Sequence, residues 1–253
     1  MVNKLLQNHG IYRPADIQIS VGNASLGTLL EGQPYGTYLL PVFAGFDPVS
    51  GHEMFYEVNQ DLINTQGIYQ FTGNLLDGTR NPALVSPNSM LITDKTSQPK
   101  LFGGFGNTIK FAGFDLYGFF YFQYGNWIYD ADEVKQSYVL AAGGQMRKTT
   151  MDNPYLIYDQ SALASTRFLH DGSFIRLRDL QLGYTLPKSL VSKLKISTVR
   201  IYVSGQNLMT ITKYKGWDPE VYGGSNNNNA LPSVTQNSFP QATTYMAGIR
   251  IGF

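Results

Sequence analysis

Apolar and polar positions alternate strictly along the end of the chain, from Pro240 to Phe253. Phe253, Ile251, Ile249, Ala247 and Tyr245 fall on one face; Gly252, Arg250, Gly248, Met246 and Thr244 fall on the other. Period two sustained over about ten residues is the length of a strand that crosses a bilayer at a tilt. An unbroken apolar face opposite a small or charged one suits a wall with hydrocarbon outside and water inside. A strand of a soluble sandwich alternates in the same way.

The same period recurs upstream. Ile17, Ile19 and Val21 alternate, and Thr37 to Gly45 and Glu53 to Val58 flank Phe46-Asp47-Pro48-Val49-Ser50-Gly51. Asp-Pro followed by Gly predicts a hairpin turn there, because Pro fixes φ and Gly accepts positive φ. Residues 59 to 98 show little periodicity and predict a long loop. Pro99 to Ala112 and Phe114 to Tyr129 predict two long strands joined by a tight turn at Gly113. The second is aromatic on both faces, with Phe114, Leu116, Phe120, Phe122 and Tyr124 opposite Tyr117, Phe119 and Tyr121. Residues 130 to 171 predict a second long loop, with a short helix around Val134 to Ala142.

Gly172 to Leu186 reads as a strand whose phase switches: Ile175 and Leu177 share one parity, Leu180, Leu182 and Tyr184 the other. A bulge near Arg178-Asp179 would return both sets to one face. Pro187 to Leu194 predicts a single helical turn. A strand from Val199 to about Thr212 follows, then a third long loop over 213 to 239, including Asn226 to Asn229, and the final strand. Short connections thus alternate with long ones, the sorting of an outer-membrane barrel rather than of a Greek-key sandwich.

Composition sharpens this picture. Charged residues make up 15% of the chain, against roughly 25% in soluble domains, while aromatics reach 13% and there are 26 glycines. Nineteen basic and eighteen acidic residues leave a net charge of +1, so no basic field points to nucleic acid. Zero cysteines exclude a disulfide framework and cysteine zinc sites. No apolar run reaches about 18 residues, which excludes a transmembrane helix, and Met1 to Gly10 lacks a signal-peptide apolar core.

D-G-S-F-I-R-L-R-D-L-Q-L-G-Y-T-L-P (171–187), V-R-I-Y-V-S-G-Q-N-L-M-T-I-T-K-Y-K-G-W-D-P-E-V (199–221) and the closing P-Q-A-T-T-Y-M-A-G-I-R-I-G-F resemble the C-terminal end of the SusC/RagA family of TonB-dependent outer-membrane transporters. E-G-Q-P-Y-G-T-Y (31–38), A-G-F-D-P-V-S-G (44–51) and P-K-L-F-G-G-F-G-N-T (99–108) look like its late barrel region. The likeness is strong over 31–253 and weak before. It implies an all-β fold, an antiparallel transmembrane β-barrel segment with long extracellular loops and short periplasmic turns. The whole of 1–253 is then the C-terminal portion of a receptor barrel. The family's barrel has about 22 strands; the about seven or eight expected here form a partial barrel. The signal peptide, TonB box and plug of the family are not found within 1–253.

The resemblance implies import of oligomeric nutrients, glycans or peptides, with TonB and a SusD-like surface lipoprotein as partners and outer-membrane lipid around the wall. It implies no enzymatic activity, cofactor or nucleic-acid partner. It also places Phe253 and the turns at 187–195 and Gly113 on the periplasmic side, and the loops 59–98, 130–171 and 213–239 outside. The terminal Phe253, with Ile251, Ile249 and Tyr245, is the expected barrel-assembly signal. Two other readings compete: a secreted β-sandwich that binds carbohydrate through exposed aromatics, and a small autonomous porin.

Candidate chemistry is sparse. His170, Asp171 and Ser173 are triad residue types, but adjacent positions at a strand start do not converge. Asp130, Asp132 and Glu133 offer oxygen ligands without a full calcium loop and read as a solvated loop; the three histidines are scattered. Gly104-Phe105-Gly106 lacks the third glycine and helix of a dinucleotide site. Asp47-Pro48 and Asp218-Pro219 predict Asx-type turns. Tyr121, Tyr124, Trp127, Tyr129, Tyr214 and Trp217 lie at strand ends, as an interfacial girdle would; of these, Tyr124, Trp127, Tyr214 and Trp217 are the candidate substrate or interface aromatics. Arg176, Arg178, Arg200 and Arg250 are predicted to face a lumen.

Overall fold

The computed structural model describes residues 18–21, 24–28, 34–66, 70–78, 85, 89–137, 164–191, 196–220, 233–235 and 238–253. Ile17, Leu194, the far end of the expected 134–142 helix and the Asn226 to Asn229 run lie outside them. Two compact units divide the chain.

One unit comprises Pro99–Gly125, Gly172–Glu220 and Phe239–Phe253. Its five antiparallel strands are β8 (Leu101–Phe111), β9 (Phe114–Tyr124), β12 (Phe174–Thr185), β13 (Thr198–Thr212) and β15 (Thr244–Gly252). Each pairs with its neighbour in chain order, an up-and-down meander with β8 and β15 at the edges. At one end the connections are short. Ala112 and Gly113 turn between β8 and β9 with φ of 47° and 87°, the two positive values that a type I′ hairpin requires. The link from β12 to β13 holds the predicted helical turn, α3 (Lys188–Val191). At the other end the chain leaves the sheet at Gly125 and returns at Gly172.

Register sorts the side chains. Phe111, Phe114, Tyr184, Ile201 and Ile249 form one transverse row, and Ile109, Leu116, Leu182, Val203 and Ala247 another, all on one face. The opposite face carries Thr108, Tyr117, Gln181, Ser204 and Met246, then Lys110, Asp115, Gly183, Tyr202 and Gly248. A strand with a single unbroken parity could not hold this sorting through β12. The register shifts between Leu177 and Asp179 against both neighbours. Against β9 the extra residue is Arg178, which returns Ile175 and Leu177 to the face of Leu180, Leu182 and Tyr184; against β13 the shift passes Asn207, at φ 53°, and Leu208. The bulge lies where the phase switch predicted it.

The other unit comprises Met1–Gln98, Asn126–Asp171 and Val221–Ser238. Its strands are β1 (Gln18–Val21), β2 (Ala24–Thr28), β3 (Thr37–Pro41), β4 (Phe43–Phe46), β5 (Glu53–Val58), β6 (Phe71–Asp77), β7 (Met90–Thr96), β10 (Trp127–Asp130), β11 (Leu169–Asp171) and β14 (Val234–Thr235). They form three small sheets, ordered β1-β2-β3-β7, β4-β5-β6 and β11-β10-β14. The core gathers Tyr38, Leu40, Tyr129, Phe168, Leu169 and Val234. The Tyr38 hydroxyl donates to the Ser233 carbonyl oxygen at 2.9 Å, with the Trp127 carbonyl oxygen at 3.1 Å. The 46–51 turn forms as predicted: the Asp47 carboxylate accepts from the Val49 and Ser50 amides at 3.2 and 3.1 Å and from the Ser50 hydroxyl. These donors, the hydroxyl foremost, hold the Asp47 carboxyl below its ordinary range.

Three expectations are corrected. Phe114 to Tyr129 is not one strand: Gly125, at φ 81°, ends β9, and β10 starts afresh in another sheet. Thr37 to Gly45 divides at Val42 into β3 and β4 for the same reason, since the two pair with different partners. Residues 59 to 98 are not all loop but hold α1 (Gln60–Gln66), β6 and β7. Their pairing to β5 and β3 supplies order that their own weak periodicity does not signal.

Because a one-residue slip exchanges the two faces of a strand, deleting Arg178 is expected to abolish cooperative thermal unfolding of the purified protein, followed by far-ultraviolet circular dichroism. Arg178→Gln, which keeps the residue count, should retain it. A deletion variant that melts like the parent would show that the extra residue does not hold the halves of β12 in phase.

Candidate functional site

The polar face of the five-stranded sheet is built around arginines. Arg200 on β13 reaches Asp115 on β9, donating from Nε to Oδ1 at 2.9 Å and from Nη2 to Oδ2, and also to Gln181 Oε1 at 3.0 Å. To do so its guanidinium crosses β12 at Gly183. A Cβ there would sit 2.3 Å from Arg200 Nη2, so only glycine leaves the path open. The same guanidinium lies 5.2 Å from the Tyr202 ring centroid. Beside it, a cavity of about 440 Å³ opens at the Ala112–Gly113 turn, where Lys110, Asp115 and Arg200 contribute the charged lining.

A second network ties the segment after β13 to the sheet. Arg176, only 2% exposed, donates from Nε to Thr210 Oγ1 at 2.9 Å, from Nη1 to Glu220 Oε2 at 2.9 Å and from Nη2 to Asp218 Oδ1. Arg178 pairs with the other Glu220 oxygen and stacks 4.5 Å from the Tyr121 ring centroid. Asp218 completes the predicted Asx turn by accepting from the Glu220 amide at 2.9 Å. Its second oxygen accepts from the Gln241 amide at 2.9 Å, just before β15. The buried Arg176 guanidinium thus has a hydrogen-bonded oxygen partner at each of its three nitrogens, the condition under which burying charge is tolerated. The Arg-Leu-Arg of 176–178 and the Trp-Asp-Pro-Glu of 217–220 are two halves of one clamp.

The opposite face is apolar and exposed. Leu101, Phe105, Ile109, Phe111, Leu182, Val203, Ile211 and Ile249 are all exposed, while Phe120, Leu177 and Tyr184 in the same rows are half-buried. A soluble β-sandwich buries such a face against a second sheet. Among the described residues of this unit these side chains meet no second sheet, which argues against a sandwich here. So much contiguous apolar surface is a liability in water and requires another apolar phase.

The expected assembly residues Tyr245, Ile249 and Ile251 share the apolar face of β15, and Phe253 beyond it is 94% exposed. The aromatics are dispersed rather than gathered. Tyr124 ends β9 and is exposed; Trp217 is 70% exposed in the clamped segment. Trp127 packs partly buried against the core of its own unit, with Lys95 Nζ 4.7 Å over its ring. Tyr214 is 6% exposed and presents no open ring face, and Tyr129 is a core residue whose hydroxyl burial pushes above its usual range. Arg176, Arg178 and Arg200 pair across the polar face, and Arg250 shares it, opposite Arg200. One grouping was not legible as a site: Asp130, Glu133 and His170 converge in the other unit.

No protein-family model matches the chain. It is similar to TonB-dependent receptor P3 of Formosa agariphila, 31% identical over 214 residues, covering 74% of this chain and 21% of the relative. TonB-dependent receptor SusC of Bacteroides thetaiotaomicron is 33% identical over 95 residues, 37% of this chain and 9% of SusC. Among solved structures, the RagAB peptide importer in its open-open state superposes with a TM-score of 0.68 at 25% identity, over 94% of this chain and 24% of the importer chain. Its closed-closed state gives 0.65 at 26% identity. The chain spans about a fifth of the length of P3 and about a quarter of the importer chain. The strand-rich antiparallel fold and its likeness to these receptors indicate part of a β-barrel protein of the outer membrane. The chain matches a C-terminal part of TonB-dependent receptors, SusC and the RagAB importer among them.

Removing one partner of the buried network leaves charge uncompensated. Arg176→Leu is expected to destabilise the protein by about 3–5 kcal/mol, measured by thermal or denaturant unfolding in detergent. A change below about 1 kcal/mol would show that the clamp behaves as a surface pair.

Proposed function

We propose that this chain supplies part of the wall of a transporter that brings oligomeric nutrients, glycans or peptides, across the outer membrane. The carrying observation is the sorting of the five-stranded sheet: one face uncharged, predominantly apolar and largely exposed, the other lined with paired arginines, tyrosines and small residues. Lipid tails cover the first face, and the second borders the transport lumen. In this reading the whole of 1–253 is the C-terminal portion of the barrel, and the free edges of β8 and β15 continue into strands of the remaining wall.

Orientation follows from the connections. The short Ala112–Gly113 turn, the α3 link and Phe253 lie on the periplasmic side, and the long connections lie outside, where a SusD-like lipoprotein delivers substrate. TonB supplies energy through a region of the receptor beyond this stretch. Phe253, Ile251, Ile249 and Tyr245 form the signal read during barrel assembly. Trp217, exposed, is the aromatic best placed for substrate or partner contact; Tyr124 shares the apolar face with Leu101, as an interfacial girdle residue would, and Trp127 and Tyr214 act through packing.

Leu182 and Gln181 are adjacent in β12 and point to opposite faces, so they test the reading directly. In the complete receptor, Leu182→Arg is expected to lower insertion stability by about 2–4 kcal/mol, the penalty for a lipid-facing arginine near the midplane. Gln181→Glu, which charges the polar face and keeps an acceptor for Arg200, should be tolerated. Heat-modifiable migration of the outer-membrane fraction reads both, and equal tolerance of the two variants would refute a lipid-facing apolar side. Deleting Phe253 is expected to reduce the amount of folded receptor in the outer membrane; unchanged insertion would remove its role as an assembly signal.

A further inference from the structure

Three metal-ligating side chains meet away from the wall sheet. Asp130 ends β10, Glu133 lies in the first turn of α2 (Ala131–Lys135), and His170 is the middle residue of β11. One ligand atom from each lies within 4.8 Å of the other two. The backbone enforces this meeting. Antiparallel pairing sets Ile128 opposite His170 and Tyr129 opposite Leu169, which carries the imidazole to the end of β10. The Asp130 carboxylate caps α2 by accepting from the Glu133 amide at 2.8 Å and is oriented further by the Thr235 hydroxyl at 3.2 Å. His170 Nε2 lies 2.6 Å from Glu133 Oε2.

The grouping is more than a patch of carboxylates, because its third donor is an imidazole nitrogen. Calcium and magnesium take oxygen ligands; an imidazole beside two carboxylates matches zinc and its transition-metal neighbours. Donors around a tetrahedral zinc are separated by roughly 3–3.5 Å, so rotation of side chains already in contact would close the set. Burial is graded in the useful direction. Asp130 is 2% exposed, whereas the His170 and Glu133 side chains are 32% and 21% exposed, leaving an approach from solvent.

We propose that Asp130, Glu133 and His170 bind one divalent cation of the zinc class. The ion would clip α2 to β11, whose ligands stand 37 residues apart in sequence, and so close the base of the long connection between β9 and β12. Loops of that length gain most from such a clip, since the entropy of closure rises with loop length. This assignment stands independently of the substrate carried and of the transport reading.

The test uses the complete receptor in detergent, stripped with chelator and titrated with Zn²⁺ alone by isothermal calorimetry. One equivalent should bind with micromolar or tighter affinity. Glu133→Gln and His170→Gln, neither of which removes the helix cap, should each weaken binding at least tenfold, while Asp94→Asn on β7 leaves it unchanged. Absence of stoichiometric binding, or equal affinity in both site variants, overturns the proposal. Should either variant fold poorly, X-ray absorption at the zinc edge of the unaltered receptor decides. Imidazole scattering with light N/O neighbours supports the site, and a shell without imidazole overturns it.

Discussion

The structure depends on one constraint: five neighbouring strands must keep one face free of charged side chains and rich in aliphatic ones, while every charged side chain stays on the other. Alternation within a strand is free, because the pleat supplies it. Alternation in phase across five strands is not, and a single slip anywhere would place Arg200 or Arg250 beside Ile249 and Leu182. Hydrogen-bonded register holds the phase through β8, β9, β13 and β15. In β12 the phase is restored by the bulge at Arg178.

Charge is handled locally on the polar face. Arg200 meets Asp115 across an intervening strand, and Arg176 and Arg178 meet Asp218 and Glu220 from the segment that follows β13. None of these pairs joins adjacent positions in sequence; each ties together strands or a loop that the backbone ladder alone leaves independent. Glycine serves the same end at 183, where a side chain would block the guanidinium. The polar face is therefore braced as well as hydrated, which suits a wall whose apolar side contributes no packing against another protein layer.

The two units differ in how they find stability. The sheet unit relies on backbone ladders and ion pairs and leaves its apolar side to lipid. The other unit buries Tyr38, Leu40, Tyr129 and Phe168 in an ordinary protein core, with small sheets whose strands come from distant parts of the chain. Relatives at 31% identity share most of this chain's length, yet it covers only about a fifth of the P3 receptor. Edge strands β8 and β15 are accordingly long, regular and unshielded, features that an isolated soluble domain avoids.

Much of the sheet unit was legible from sequence because its information is local. Period-two alternation marks β8, β9, β13 and β15, and the change of parity after Leu177 marks the bulge. The family resemblance rested on those same stretches. The other unit was legible only at its Asp47-Pro48 turn and the runs that flank it: β6, β7 and β10 are short, polar or interrupted, and they exist as strands because β5, β3 and β11 lie beside them. The Arg-Leu-Arg and Asp-Pro-Glu motifs could be seen in the text, but only folding brought Arg176 to Asp218. In the same way only folding brought His170 to Glu133. Sequence by itself determined which face of each strand is apolar, since that follows from spacing along one chain. Tertiary structure alone decided which charges meet, because opposite charges choose partners by distance in space.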